Sequence, residues 1–420
     1  MKIELEGIFS HSTWLYRLFL VVFHRFLLFS SYISISTWRF GITLREGYIK
    51  AVMELPGLDA AGIYLYVVAI ILFLIPVGLF ASDWRSAVLG DSTPECLKLP
   101  PATKIVQLWI YPIKSCRGFQ VQSTIIRKDG LDLDRYWMFI DANTREFLTI
   151  RQIKEMTLID TSLSEEDELV VSLRTDLSVK FAIPAHPSED WLKENTTLRT
   201  DNKIWNDRTD GWEYSADLTA PLSKFFKRDV RLLYKGPTPR LLRGNGDEDH
   251  LGRSEHVNFP DLMPVQVSSL ASLAELNTRL KKAGVAEDMS IERFRPNIVV
   301  RGGKPWAEDV WKTVRIIYPR AFESGLQKFL TLDVVARCAR CQVPNVDPDT
   351  AEKDKHEPWD TLMKYRRVDD GIKWKPCFGM LCCPREEGEV SVGQTFVVTK
   401  VTQDHKYIPV VGGGPPPAGN

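Results

Sequence analysis

Charge of one sign is missing from this chain: 54 lysines and arginines balance 54 aspartates and glutamates over 420 residues. A net charge of zero provides no basic field for nucleic acid and no acidic excess for a basic partner. Cysteine is sparse too. Seven in so long a chain, an odd number, do not make the dense, even framework of a secreted disulfide scaffold. The folded part is therefore expected to face a reducing compartment, with its thiols free or metal-bound. No G-x-G-x-x-G follows a strand and no G-x-x-x-x-G-K-[ST] loop occurs, so nothing points to a built-in nicotinamide, flavin or nucleotide site. The histidines form no H-x-x-x-H and no C-x-x-C-H, which leaves histidine-based zinc and covalent haem without ligands. No G-x-S-x-G elbow and no repeat of fixed period are present.

What is present divides the chain. Residues 60–81, Ala60–Ala81, carry no charge over 22 positions. A helix of that length spans ~33 Å, close to the ~30 Å hydrocarbon core of a bilayer. It is read as a single transmembrane anchor, and Arg85 after it weakly favours a cytosol-facing body. Residues 1–52 admit three readings: a targeting segment, a second membrane-associated helix, or a stretch before a start at Met53. A proline-rich linker, Asp91–Lys104, follows the anchor. Short β-like runs then fill residues 104–235, expected to form a mostly antiparallel β domain. The loop Gly236–His256 is the expected boundary, and residues 257–402 the second domain. There Leu270, Leu273, Leu276 and Leu280 share a helix face, with Ser268 or Ser269 as cap and Gly284 as stop. Strands are expected at Asn297–Val300, Val314–Tyr318, Leu332–Arg337 and within Glu389–Lys400. Residues 403–420 read as a disordered tail. The fold class is α+β and β-rich.

The stretch Val335–Thr350 places Cys338 and Cys341 three residues apart. A structural zinc site would need two more ligands from Cys377, Cys382 and Cys383, and adjacent strand residues point to opposite faces. A redox dithiol wants a helix start, and Pro344 and Pro348 oppose one. Two strand-end thiols without a role are the bland alternative. The fourth reading uses Arg337 and Arg340, which flank the thiols: guanidinium forks beside a soft thiolate suit a soft, high-valent metal carrying an anionic organic ligand.

A family resemblance enters on ordered segments: Leu108–Gly118 (LWIYPIKSCRG), Arg135–Asp141 (RYWMFID), Leu148–Gln152 (LTIRQ), Phe259–Leu280, Arg293–Val300 (RFRPNIVV), Trp306–Trp311 and Arg337–Thr350. In this order they resemble MOSC-domain proteins of the mitochondrial amidoxime-reducing component family, over roughly Lys104–Lys400. The resemblance implies a MOSC-type N-terminal β domain beside a MOSC β-barrel domain. It implies a molybdenum cofactor, Mo-molybdopterin, with Cys341 as protein ligand to molybdenum. It places Lys114, Ser115, Arg135, Arg295, Asn297 and Arg340 at cofactor-contacting positions, and Cys338 at a position that is not a ligand. It implies reduction of small N-hydroxylated substrates (amidoximes, hydroxylamines, N-oxides) with electrons from a cytochrome b5-like protein and its NADH-dependent reductase, at the mitochondrial outer membrane. Two neighbouring readings stay open: a cofactor carrier or sulfur-transfer module, and a non-catalytic, zinc-binding membrane scaffold. Asp347 is expected to turn its loop. Three positions depart from the family pattern: Ala339 and Met263 stand where serine is usual, and Leu381 where tyrosine is.

Overall fold

The computed structural model describes residues 98–205, 207–319 and 328–410. The anchor expected at 60–81 and the segment 1–52 lie outside the described residues. Among the described residues no helix is long and apolar enough to cross a membrane.

Seven strands close into a barrel: β1 (Thr103–Ile110), β2 (Val265–Ser269), β3 (Ile298–Val300), β4 (Trp311–Ile317), β5 (Phe329–Ala339), β6 (Cys377–Pro384) and β7 (Thr395–Val401). The order around it is β3-β2-β6-β5-β4-β7-β1, and β1 pairs back onto β3. β2 and β3 alone run parallel. Parallel neighbours need a crossover, and the helix Leu270–Lys282 supplies it. Its start is capped by Ser269, whose hydroxyl accepts from Ala271 N at 3.2 Å, as the sequence pattern predicts. Alternate residues point inward: Ile105, Val265, Val267, Ile298, Val314, Ile316, Leu332, Val334, Met380, Phe396 and Val398 fill the interior. Full burial of each such side chain contributes about 1.5–3 kcal/mol before entropy is set against it.

β1 corrects the expected division at 104–235. Its Ile105 pairs with Val300 and its Lys104 with Thr395, so the first strand of the N-terminal segment is a stave of the C-terminal barrel. Phe119–Val121 pairs with β1, and Ser123–Arg127 with Gly388–Ser391. The remainder of that segment forms its own antiparallel sheets: one orders Trp137–Asp141, Val230–Lys235, Asp207–Glu213 and Thr197–Ile204, and another Ile159–Leu163, Glu168–Leu173 and Asp176–Pro184. Glu146–Ile150, one of the β-like runs within 104–235, contributes isolated bridges only.

Residues 403–410 are a second correction, because they are pinned rather than loose. The His405 ring bonds Trp311 O at 2.6 Å, Tyr407 N donates to Asp369 at 2.8 Å and Ile408 N to Asn245 at 2.9 Å. The Gly/Pro-rich run behind the disorder expectation begins only at 412, outside the described residues.

A buried acid, Glu308, precedes β4. Glu308 is 1% exposed; it accepts from Ser272 Oγ at 2.5 Å, while its other oxygen has no partner. Burial raises its pKa from 4.5 to about 7. The raised value means that the folded state holds a proton the unfolded chain releases. Stability is therefore highest at low pH, falls as pH rises from about 4.5 to 7, and levels off above. Glu308→Gln keeps the shape without the titration. Unfolding free energies from denaturant titration are expected to shift in favour of Gln, relative to the parent, by about 3 kcal/mol between pH 5 and pH 8. An equal difference at both pH values would contradict this.

Candidate functional site

β5 carries the cysteine pair to the edge of a pocket. Cys338 and Arg340 point to one side of the strand and Arg337 to the other. Arg337 turns away, pairing with Asp369 at 3.4 Å and donating to His405 O at 2.8 Å. Of the two arginines flanking the cysteines, only Arg340 faces the pocket. Cys341 is half-buried and Cys338 buried. Burial pushes the Cys338 thiol up and the Arg340 charge opposes it; Arg340 Nη1 donates to Cys338 Sγ at 3.0 Å.

The pocket encloses about 170 Å³, and all seven predicted residues line it: Lys114, Ser115, Arg135, Arg295, Asn297, Arg340 and Cys341. They come from four distant segments. Lys114, just past β1, pairs with Asp261 and donates to Phe259 O at 2.8 Å. Burial lowers its pKa to about 8 against the pull of Asp261. Arg135 pairs with Asp134 and donates to Arg295 O at 3.1 Å; Arg295 donates to Cys116 O at 2.8 Å. The two guanidiniums lie over the ring of Tyr111, at 4.6 and 4.3 Å. Burial lowers the pKa of Arg295, and the Arg135 charge adds to that. Arg340 donates to Gln266 Oε1 at 3.1 Å and Phe294 O at 2.8 Å, leaving a buried Nε without an acceptor.

Asn297 differs from the rest. Its oxygen accepts from Gln266 N at 3.1 Å and its nitrogen donates to Trp109 O at 3.4 Å. Both ends of the amide are used to tie β1 and β2 to the start of β3, so its first task is to shape the wall.

Backbone conformation marks the site independently. Ser115 (φ 71°), Arg135 (55°), Arg295 (54°) and Trp205 (54°) all line the pocket in the left-handed region, and none is glycine. Such conformations cost of order 1–3 kcal/mol each and persist where the surroundings enforce them.

Sequence reasoning missed several lining residues. Arg151 sits in the quoted LTIRQ segment; it pairs with Asp261 at 3.0 Å and lies 4.6 Å over the Trp205 ring. Burial disfavours its charge, but Asp261 and then Cys341 outweigh that and raise its pKa. Lys375 and Tyr407 line the pocket too. Burial lowers the pKa of Lys375, and Cys341 acts in the other direction. The three departures, Met263, Ala339 and Leu381, all line the pocket as well, so the positions where this chain differs from the resembled pattern fall on the wall itself. Asp347 does not line it. Its carboxylate accepts from Asp349 N and Thr350 N at 2.8 and 3.0 Å and pairs with Arg293, the expected turn role.

The zinc alternative needs further ligands beside Cys338 and Cys341. Among the described residues no three His, Cys, Asp or Glu gather as a set able to hold a metal ion. Cys377, Cys382 and Cys383 are buried in β6, with Cys383 Sγ 3.7 Å from Met263 Sδ.

Comparison with known proteins covers most of the described chain. The family model of the MOSC domain matches residues 254–397, and that of the MOSC N-terminal beta barrel domain matches residues 102–229. Mitochondrial amidoxime reducing component 2 of Bos taurus is 31% identical over 74% of this chain and 86% of its own length. Mitochondrial amidoxime-reducing component 1 of Mus musculus is 31% identical over 70% of this chain and 82% of its own. Molybdenum cofactor sulfurase of Arabidopsis thaliana is 30% identical over 67% of this chain but only 33% of that protein.

Proposed function

Because the chain belongs to the MOSC-domain family of the mitochondrial amidoxime-reducing components, we propose that it is a membrane-anchored molybdenum-cofactor oxidoreductase reducing N-hydroxylated compounds: amidoximes, hydroxylamines and N-oxides. The observation that carries this reading is the convergence of seven residues from four segments on one pocket, with a half-buried thiol at one end.

The residues fit the group. A single accessible cysteine suits a soft metal. Six cations against one lining acid, Asp261, suit a phosphate-bearing pterin, and the orphaned Nε of Arg340 is a buried donor awaiting an acceptor. Cys341 would ligate molybdenum, while Lys114, Ser115, Arg135, Arg295 and Arg340 would hold the pterin and its phosphate. When bound, the cofactor supplies the two-electron chemistry that, with two protons, converts an N–OH group to N–H and water. The chain's own residues orient the group, keep its charges compensated and shape the space beside Cys341. Electrons would come from a cytochrome b5-like haem protein fed by an NADH-dependent reductase. Residues 60–81 would be the anchor, with the catalytic body facing the cytosol. The names of the relatives favour the mitochondrion, and on our reading the anchor sits in its outer membrane.

Metal analysis of the purified chain is expected to find stoichiometric molybdenum with pterin; zinc, or neither, would overturn the assignment. A carrier or sulfur-transfer role, suggested by the sulfurase relative, predicts the same metal content. The two separate on benzamidoxime supplied with a reconstituted electron chain: the reductase forms benzamidine and the carrier does not.

A further inference from the structure

Six cations line the pocket, and five are committed to protein partners: Lys114 and Arg151 to Asp261, Arg135 to Asp134, Arg295 to Cys116 O, and Arg340 to Gln266 and Phe294 O. Lys375 is the sixth. Its residue is only 9% exposed, yet among the described residues its ammonium has no hydrogen bond and no ion pair. Its stem is buried while its ammonium opens onto the pocket, so an anionic ligand there can accept from it without displacing a protein partner. The charged groups around it are Cys341, Arg151, Asp261 and Cys338. That is the thiol end of the pocket, apart from the Arg135–Arg295 pair that flanks Tyr111.

A second unpartnered polar group shares this rim. Tyr407 lines the pocket, and its hydroxyl also has no hydrogen bond among the described residues. The two side chains are held by one device. Asp369 Oδ1 accepts from Gly371 N at 2.9 Å, in the turn leading to Lys375, and from Tyr407 N at 2.8 Å. Gly371 lies so close to Tyr407 that an added Cβ would come within 2.1 Å of its carbonyl oxygen. The turn and the C-terminal strap therefore form a single lip. Ile372 and Leu381 add apolar surface to the same pocket.

Building on the reductase reading, we propose that Lys375 and Tyr407 form an anion-recognition lip, which makes the preferred substrates N-hydroxylated compounds that also carry a carboxylate. Anionic oxygens could reach Lys375 from two sources, a substrate carboxylate or the cofactor phosphate. Its closeness to Cys341, beside which a substrate must lie on the reductase reading, favours the substrate.

The test uses full-length, cofactor-loaded protein, as parent, Lys375→Gln and Tyr407→Phe. Calorimetric titration with 4-carbamoylbenzoate against benzamide, neither of them reducible, reads recognition without turnover. The parent is expected to favour the carboxylated amide by roughly tenfold, which corresponds to about 1.4 kcal/mol. Lys375→Gln should erase that preference and Tyr407→Phe should reduce it. The ratio of kcat/KM for 4-carboxybenzamidoxime over benzamidoxime should fall by about the same factor in Lys375→Gln. A preference unchanged in Lys375→Gln would overturn the proposal. So would loss of pterin and molybdenum in that variant, which would assign Lys375 to the cofactor phosphate. A parent that binds the carboxylated amide preferentially but reduces neither amidoxime would sink the reductase reading and leave the lip standing.

Discussion

Cys341→Ser is expected to abolish amidoxime turnover, with Cys338→Ser losing far less. The two thiols are three residues apart but differ in surroundings. Cys341 leaves the end of β5 half-buried, at the pocket edge and within the field of Arg151. Cys338 is buried, its thiol is pushed up by burial, and its sulfur accepts from Arg340. A serine at 338 can accept the same hydrogen bond. A serine at 341 offers a hard oxygen where a soft metal needs sulfur. Loss of a residue that only supports a metal ligand costs roughly 10–100-fold. The Cys341→Ser loss should exceed that range, and Cys338→Ser should stay near its lower end. Turnover together with molybdenum content checks both. Equal losses from the two substitutions would restore a paired role for the cysteines, and a Cys341→Ser protein that keeps its molybdenum and its activity would remove the ligand assignment altogether.

Local signals in the sequence were accurate where a segment's own chemistry decides its form. Ser269 and the leucine spacing placed the helix Leu270–Lys282, and the β-branched run at Leu332–Arg337 placed most of β5. β6 escaped notice because all eight of its residues are buried. Such a strand has no alternation, and its glycine, proline and cysteines look like loop chemistry. β1 was read as a strand but assigned to the wrong sheet. Its barrel partner Val300 lies at the far end of the intervening domain, and no local pattern records a pairing across that distance.

The site divides in the same way. Lys114, Ser115, Arg135, Arg295, Asn297, Arg340 and Cys341 stood in recognisable motifs, and all of them line one pocket. Arg151, Lys375 and Tyr407 did not stand out, because each is ordinary in its own segment and acquires meaning from what the fold brings opposite it. The left-handed backbone at Ser115, Arg135 and Arg295 was invisible for another reason: glycine advertises that conformation, and these residue types do not. Arg337 was over-read. Adjacency in sequence to Cys338 suggested a shared site, whereas strand geometry sends it to Asp369.

Asp369 is the residue on which that geometry depends, and Asp369→Ala should be among the most damaging substitutions in the chain. It is 1% exposed and pairs with Arg337, which is 8% exposed. Removing one member of a buried pair leaves the other charge uncompensated, at a cost of about 3–5 kcal/mol. Here the two backbone donors Gly371 N and Tyr407 N lose their acceptor as well. Asp369→Asn separates the two effects. Its amide oxygen can still accept from Gly371 and Tyr407, so it keeps the turn and strap together while abandoning the charge of Arg337. Urea denaturation is expected to order the midpoints parent, Asn, Ala, with the largest drop in Ala. Protection of the Gly371 and Tyr407 amides from hydrogen exchange should survive in Asn and collapse in Ala. If the lip depends on this anchor, the preference for a carboxylated ligand should follow amide protection rather than global stability, surviving in Asn and vanishing in Ala. A preference that instead declined in step with the urea midpoint would mean that Asp369 acts on the barrel as a whole, with no separate hold on Lys375 and Tyr407.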